Sequence, residues 1–207
     1  MDVEPGLIAI VIWMAVVILW WSGWRKELSA GLPEWGLTLF LVLWPFAYSR
    51  TVALAGIGEI NLGAALILAS ALTVLSGMQT IRRWTALAAG LLIASVALFT
   101  NKLTLMIPAL LVSNPHWILA VMIGALTVML LRNPVEQWIA LTFGFTLSAV
   151  AEAWLRAEPR GWIVLGDSEW MAVWWLAIGS SRCLSSLAAR MAKAWGKLGL
   201  RKGGQRS

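Results

Sequence analysis

Seven stretches of this chain are apolar over nearly their whole length, and the polar and charged residues collect between them. They run Gly6–Trp24, Pro33–Tyr48, Ile60–Met78, Trp84–Thr100, His116–Leu131, Trp138–Trp154 and Trp170–Leu187. None shows the two-residue alternation of a half-buried strand, and each is long enough for a helix. A membrane-crossing helix needs about 20 mostly apolar residues, because each adds about 1.5 Å against a hydrocarbon layer of about 30 Å. The pattern therefore predicts an all-α fold, a polytopic transmembrane bundle of about seven spans. The second stretch is short and holds Pro45; without it six spans remain and both termini share one side. Two other apolar stretches do not read as spans. Thr51–Glu59 holds Gly56 and Gly58 and reads as a loop or an outward extension of the third helix. Leu103–Val112, flanked by Asn101–Lys102 and Ser113–Asn114–Pro115, reads as an interfacial or re-entrant segment.

Composition agrees with lipid as the solvent. Of 207 residues 60% are hydrophobic and 13% charged, with a mean hydropathy of +0.79; a soluble domain carries about 25% charged residues. The first stretch is preceded by Asp2 and Glu4, where a secretory leader is basic, so it reads as a retained span. Net charge is +6, with the bases concentrated at the C-terminal end. With seven spans, one side holds Arg25, Lys26, Arg82, Arg83, Arg132 and the seven bases from Arg182 to Arg206, and the other holds Arg50, Lys102, Arg156 and Arg160. Cytoplasmic connections carry the excess of lysine and arginine. The C-terminus is therefore expected in the cytoplasm and the N-terminus outside a bacterial plasma membrane.

Fifteen tryptophans support the layout. Trp20, Trp21, Trp24, Trp35, Trp84, Trp138 and Trp195 fall near the expected inner boundary, and Trp117, Trp154, Trp162 and Trp170 near the outer one, where indole satisfies both its apolar body and its N–H. Trp13, Trp44, Trp174 and Trp175 lie deeper and are expected to pack between helices. Small residues recur every fourth position at Ala65 and Ala69, at Ala86, Gly90 and Ala94, at Ala120 and Gly124, and at Ala140, Gly144 and Ser148. Such stripes let helix backbones approach closely. Residues 189–207 form a separate unit, a basic amphipathic helix and tail after the bundle of residues 1–188. Arg190, Lys193, Lys197 and Arg201 make its cationic stripe, suited to anionic lipid.

Few residues carry candidate chemistry. Glu152 continues the stripe of Gly144 and Ser148 into a helix interface, where a carboxylate could bind a cation or relay a proton; the plainer and favoured reading is a pair with Arg156 one turn on, near the outer surface. Glu59, Asn101 and Lys102 fall on the same expected side and could line a polar cleft with it; Asn101 and Lys102 could equally be a helix end. Asn61, beside Glu59, reads as part of an interfacial turn. His116 sits in a proline-led helix start, and Asp167 and Glu169 suit a helix N-terminus. A weaker reading joins His116, Asp167 and Glu169 as a lipid-active site. One cysteine, Cys183, and one histidine rule out an intrachain disulfide and any multi-thiolate or multi-histidine metal site. No cofactor, metal, nucleic acid or catalytic role is expected; no nucleotide-binding or hydrolase fingerprint occurs.

The second half resembles a family of small membrane proteins of Gram-positive spore-formers, the YphA family. The likeness rests on Ser113–Trp117 (Ser-Asn-Pro-His-Trp) leading into a span, on Leu131–Pro134 (Leu-Arg-Asn-Pro), on the helix from Gly144 to Glu152, and on the Gly166–Asp167 turn. It implies a bacterial plasma-membrane protein of six or seven spans with no assigned reaction. The expectation is a non-enzymatic scaffold or accessory subunit with a membrane protein partner or a second copy. The alternative is a small-solute transport or substrate-capture component built on Glu152.

Overall fold

The computed structural model describes residues 4–29, 32–54, 58–106, 115–155 and 163–203. Among these, seven helices have 15 residues or more: α1 Pro5–Trp21, α3 Glu34–Tyr48, α4 Leu62–Ser76, α5 Thr80–Met106, α6 Pro115–Leu130, α7 Pro134–Leu155 and α8 Ser168–Gly203. The short α2, Arg25–Ser29, follows α1. Each long helix falls on one of the seven apolar stretches. Two of them, Thr80–Thr104 and Pro134–Leu155, are long and apolar enough to cross a membrane; Pro5–Trp21, Leu62–Ser76 and Trp117–Leu130 are shorter apolar helices.

Local chemistry sets the ends. Pro5, Pro115 and Pro134 open α1, α6 and α7, where a missing N–H costs nothing. Gly23, at φ 101°, ends α1 in the left-handed conformation, with Trp24 N donating to Leu19 O at 3.2 Å. Asn133 caps α7 through Val135 N at 3.0 Å, and Asp167 caps α8 through Trp170 N at 2.8 Å. Pro45 does not break α3. It has no N–H for the carbonyl four residues back, Leu41 O, and that carbonyl instead accepts from the Trp13 indole at 3.0 Å.

The sequence reading missed three strands. Thr51–Leu54 (β1) and Gly58–Asn61 (β2) form an antiparallel hairpin, and Ile163–Leu165 (β3) pairs parallel to β2, giving the order β1-β2-β3. The described residues of Thr51–Glu59 are thus strand, neither irregular loop nor helix extension, and 55–57 lie outside the described residues. Gly58, at φ 154°, lets β3 lie alongside: a Cβ there would run into the backbone of Ile163. Asn61 ties the hairpin down. Its Oδ1 accepts from Gly63 N at 2.8 Å, and its Nδ2 donates to Tyr48 O at 2.9 Å, joining the end of α3 to the start of α4.

The helices run alternately up and down, with the sheet across one end. α5 and α7 lie parallel in register. Arg82 meets Glu136 at 3.9 Å; a Cβ on Gly90 would stand 3.0 Å from Ala140 O, and one on Gly144 would stand 2.9 Å from Gly90 O. This is the close approach expected of the small-residue stripes, and Ala86, Ala94, Ala120, Ala140 and Ser148 are buried with them. On α4 the packed face is Gly63, Ala64, Ile67 and Ala71, with Ala65 half-buried and Ala69 exposed, one residue away from the expected stripe. Asn101–Lys102 do not end a span either: α5 runs through them to Met106, so the first residues of Leu103–Val112 are regular helix, and 107–112 lie outside the described residues. α8 is likewise one unbroken helix across residues 188 and 189.

Candidate functional site

The interior is built on aromatic rings from α1, α3, α7 and α8. Trp44 stacks on Tyr48 at 5.1 Å and on Trp13 at 6.2 Å, and meets Trp175 edge-to-face at 5.1 Å. Trp175 meets Trp174 at 5.2 Å, Trp174 meets Trp138 at 5.0 Å, and Phe40 meets Trp138 at 5.4 Å. The expected packing of Trp13, Trp44, Trp174 and Trp175 between helices is what forms, and Trp20 and Trp138 join the interior from positions expected at the boundary. Trp21, Trp24, Trp35, Trp84, Trp117 and Trp154 are exposed. Trp174 Nε1 donates to Thr142 Oγ1 at 3.2 Å, and Trp170 Nε1 to Phe145 O at 3.3 Å. The buried Nε1 groups of Trp44, Trp138 and Trp175 have no oxygen acceptor among the described residues. Each of these rings takes part in an edge-to-face pair, which offers an N–H a π face in place of a lone pair.

The expected site residues lie at the sheet end. Glu59 is exposed at the centre of the sheet, paired with Ala53 on one side and Val164 on the other. Glu152, Asn101 and Lys102 are half-buried near the ends of α7 and α5. The register that sets Ile93 against Gly144, continued eight residues along parallel helices of equal rise, brings Asn101 level with Glu152. Arg156 and the His116 side chain lie outside the described residues. Asp167 serves α8 as a cap, the role expected from the helix dipole. No group of three or more His, Cys, Asp or Glu among the described residues could hold a metal.

At the opposite end arginines hold helix-terminal carbonyls. Arg25 Nε donates to Trp20 O at 3.4 Å, with its guanidinium 5.8 Å from the Trp20 ring. Arg83 Nε donates to Met78 O at 2.6 Å, and its Nη2 to Ser76 O. Arg182 Nη2 donates to Leu28 O at 3.0 Å, and Arg190 lies 5.7 Å from the Trp24 ring. A cation at a helix C-terminus satisfies carbonyls that have no intrahelical partner and suits the dipole. The α7 start is fixed in the same region by Gln137, which is 1% exposed. Its Nε2 donates to Leu131 O at 2.8 Å and to Ser185 Oγ at 3.1 Å. Sequence reasoning missed Gln137; its signal was an amide falling on the buried stripe, three residues before Ala140. Arg190 is exposed; Lys193, Lys197 and Arg201 lie on the α8 backbone with side chains outside the described ones.

The perimeter is apolar. Val11 is 60% exposed, Phe46 72%, Phe99 63% and Met129 84%, and these lie on four different helices. A crevice of about 40 Å³ on this perimeter is lined by side chains of α4, α5 and α7, among them Leu68, Leu72, Leu87 and Phe143. The chain matches no family model, no curated protein and no solved structure.

Proposed function

We propose that this is a multi-pass protein of a bacterial plasma membrane, with its C-terminus in the cytoplasm and its N-terminus outside, acting as a non-enzymatic scaffold or accessory subunit. One observation carries the membrane reading. Large apolar side chains stand exposed along α1, α3, α4, α5 and α6, whereas a soluble monomer rarely exposes a contiguous apolar patch of more than a few hundred Å². The charges of α5 and α7 collect at their ends. The orientation rests on the arginine-rich end holding the C-terminal half of α8. The scaffold role rests on an aromatic, tightly packed interior and on the use of the described polar groups as caps and carbonyl partners. Membership of the YphA family belongs to the same proposal. Alkaline carbonate should leave the protein in the membrane pellet, and a tag after Ser207 should be protease-resistant in intact cells; release, or tag cleavage from outside, refutes the membrane or the orientation. Detergent pull-down should recover a stoichiometric membrane partner or an oligomer.

A second reading, capture of a small solute at the sheet end, is favoured by the half-buried Asn101, Lys102 and Glu152 on adjacent helices. It requires a solute that co-purifies with the wild type and is lost from Glu152→Gln.

A further inference from the structure

We propose that two copies of this chain join through β1, making one continuous six-stranded sheet about a two-fold axis. Among the described residues β1 is a terminal strand of the sheet, and all four of its residues are exposed. Leu62 N donates to Arg50 O at 2.9 Å, which fixes the alternation of the antiparallel ladder. Val52 and Leu54 turn their backbone groups toward Ile60 and Gly58; Thr51 and Ala53 turn theirs to the open edge. Thr-Val-Ala-Leu, although short, holds no lysine, proline or inward charge of the kind that blocks strand addition.

The occupant is identified by self-complementarity. A second β1 laid antiparallel with Val52 opposite Val52 places Thr51 against Ala53 twice, and these are the residues whose donors and acceptors face outward. Arg50 falls opposite Leu54, so no like charges meet. The axis required is perpendicular to the sheet. Gly58 and Leu165, on the face shared with Val52, are buried toward the bundle, whereas Glu59, Ala53 and Val164 face away. A rotation about that perpendicular leaves both bundles on the same side of the shared sheet. It therefore fits two copies inserted the same way in one bilayer, and in that respect the inference rests on the membrane reading. It also covers Val52 and Leu54, which are 45% and 38% exposed.

The test uses Val52→Cys with Cys183→Ser in membrane vesicles under a mild oxidant. Directly opposed residues in a non-hydrogen-bonded pair have Cα atoms about 4.5 Å apart, within disulfide reach. Leu54→Cys in the same background is the control, since its symmetry mate lies four residues along, about 13 Å away. The expected result is a disulfide dimer for Val52→Cys and its loss for Leu54→Cys. Ala53→Pro removes only an edge-facing N–H and spares the β1-β2 ladder, so it should convert the dimer to a folded monomer in single-molecule photobleaching. A carbonate-resistant protein that gives no Val52→Cys dimer, equal cross-linking at both positions, or a cross-link to a different protein overturns the pairing while leaving the membrane reading intact. Release by carbonate overturns the membrane reading instead.

Discussion

The Trp13 indole and Pro45 should be energetically coupled, although they sit on different helices. Pro45 leaves Leu41 O without its helical donor, and Leu41 is 2% exposed, so water cannot supply one. Trp13 Nε1 fills the gap at 3.0 Å. Trp13→Phe removes that donor while keeping an aromatic ring. A net hydrogen bond is worth about 0.5–1.5 kcal/mol, and an orphaned buried acceptor costs about 1–3 kcal/mol. In Pro45→Ala the restored amide can donate to Leu41 O, and the same Trp13→Phe change then loses only packing. The difference between the two backgrounds, a double-mutant coupling, should be about 1–2 kcal/mol. At about 2–4 °C per kcal/mol for a chain of this size, Trp13→Phe should lower the unfolding midpoint in detergent by several degrees more in wild type than in Pro45→Ala. Additivity within about 0.5 kcal/mol would refute the assignment of the Trp13 bond as a replacement for the missing proline donor.

Glycine substitutions should split in sign. Gly144→Ala places a methyl 2.7 Å from Ile93 Cγ2 and 2.9 Å from Gly90 O, prising α5 from α7 at about 1–3 kcal/mol. Gly179→Ala meets nothing within 4 Å and should gain up to about 1 kcal/mol of helix propensity; thermal unfolding separates the two. Asp167→Ala should cost about 1 kcal/mol through the lost cap, and Asp167→Asn much less, read the same way. Trp174→Phe breaks its bond to Thr142 and should destabilise more than Trp44→Phe, whose N–H has no oxygen acceptor among the described residues.

The helices were legible because long apolar runs need no tertiary information. Ile60–Met78 and Leu62–Ser76 differ by two residues at each end and His116–Leu131 and Pro115–Leu130 by one, whereas Trp84–Thr100 falls four and six residues short of the ends of α5. The strands were not legible, because four residues are too few for a period and because the parallel partner of β2 lies more than a hundred residues further on. The α4 stripe was misplaced by one position, which turns a helix by about 100°; the Asn61 cap and the contact of Gly63 with Met171 set its rotation, and neither is visible in α4 itself. At the site, Asp167 was legible as a cap because capping is local. Gln137 was not, because its partner Ser185 is 48 residues away.

The helices differ greatly in reach. With 15 residues each, α3 and α4 extend about 22 Å, against about 30 Å of hydrocarbon in an ordinary bilayer. With 27 residues, α5 extends about 40 Å. On the membrane reading proposed above, lipid beside α3 and α4 thins to meet them, whereas α5 carries Arg82, Arg83 and Lys102 toward its two ends, so its extra length projects into the headgroup layers. In that setting the side formed by α3 and α4 is a thin edge, where a neighbour with short spans meets less mismatch than in the open bilayer.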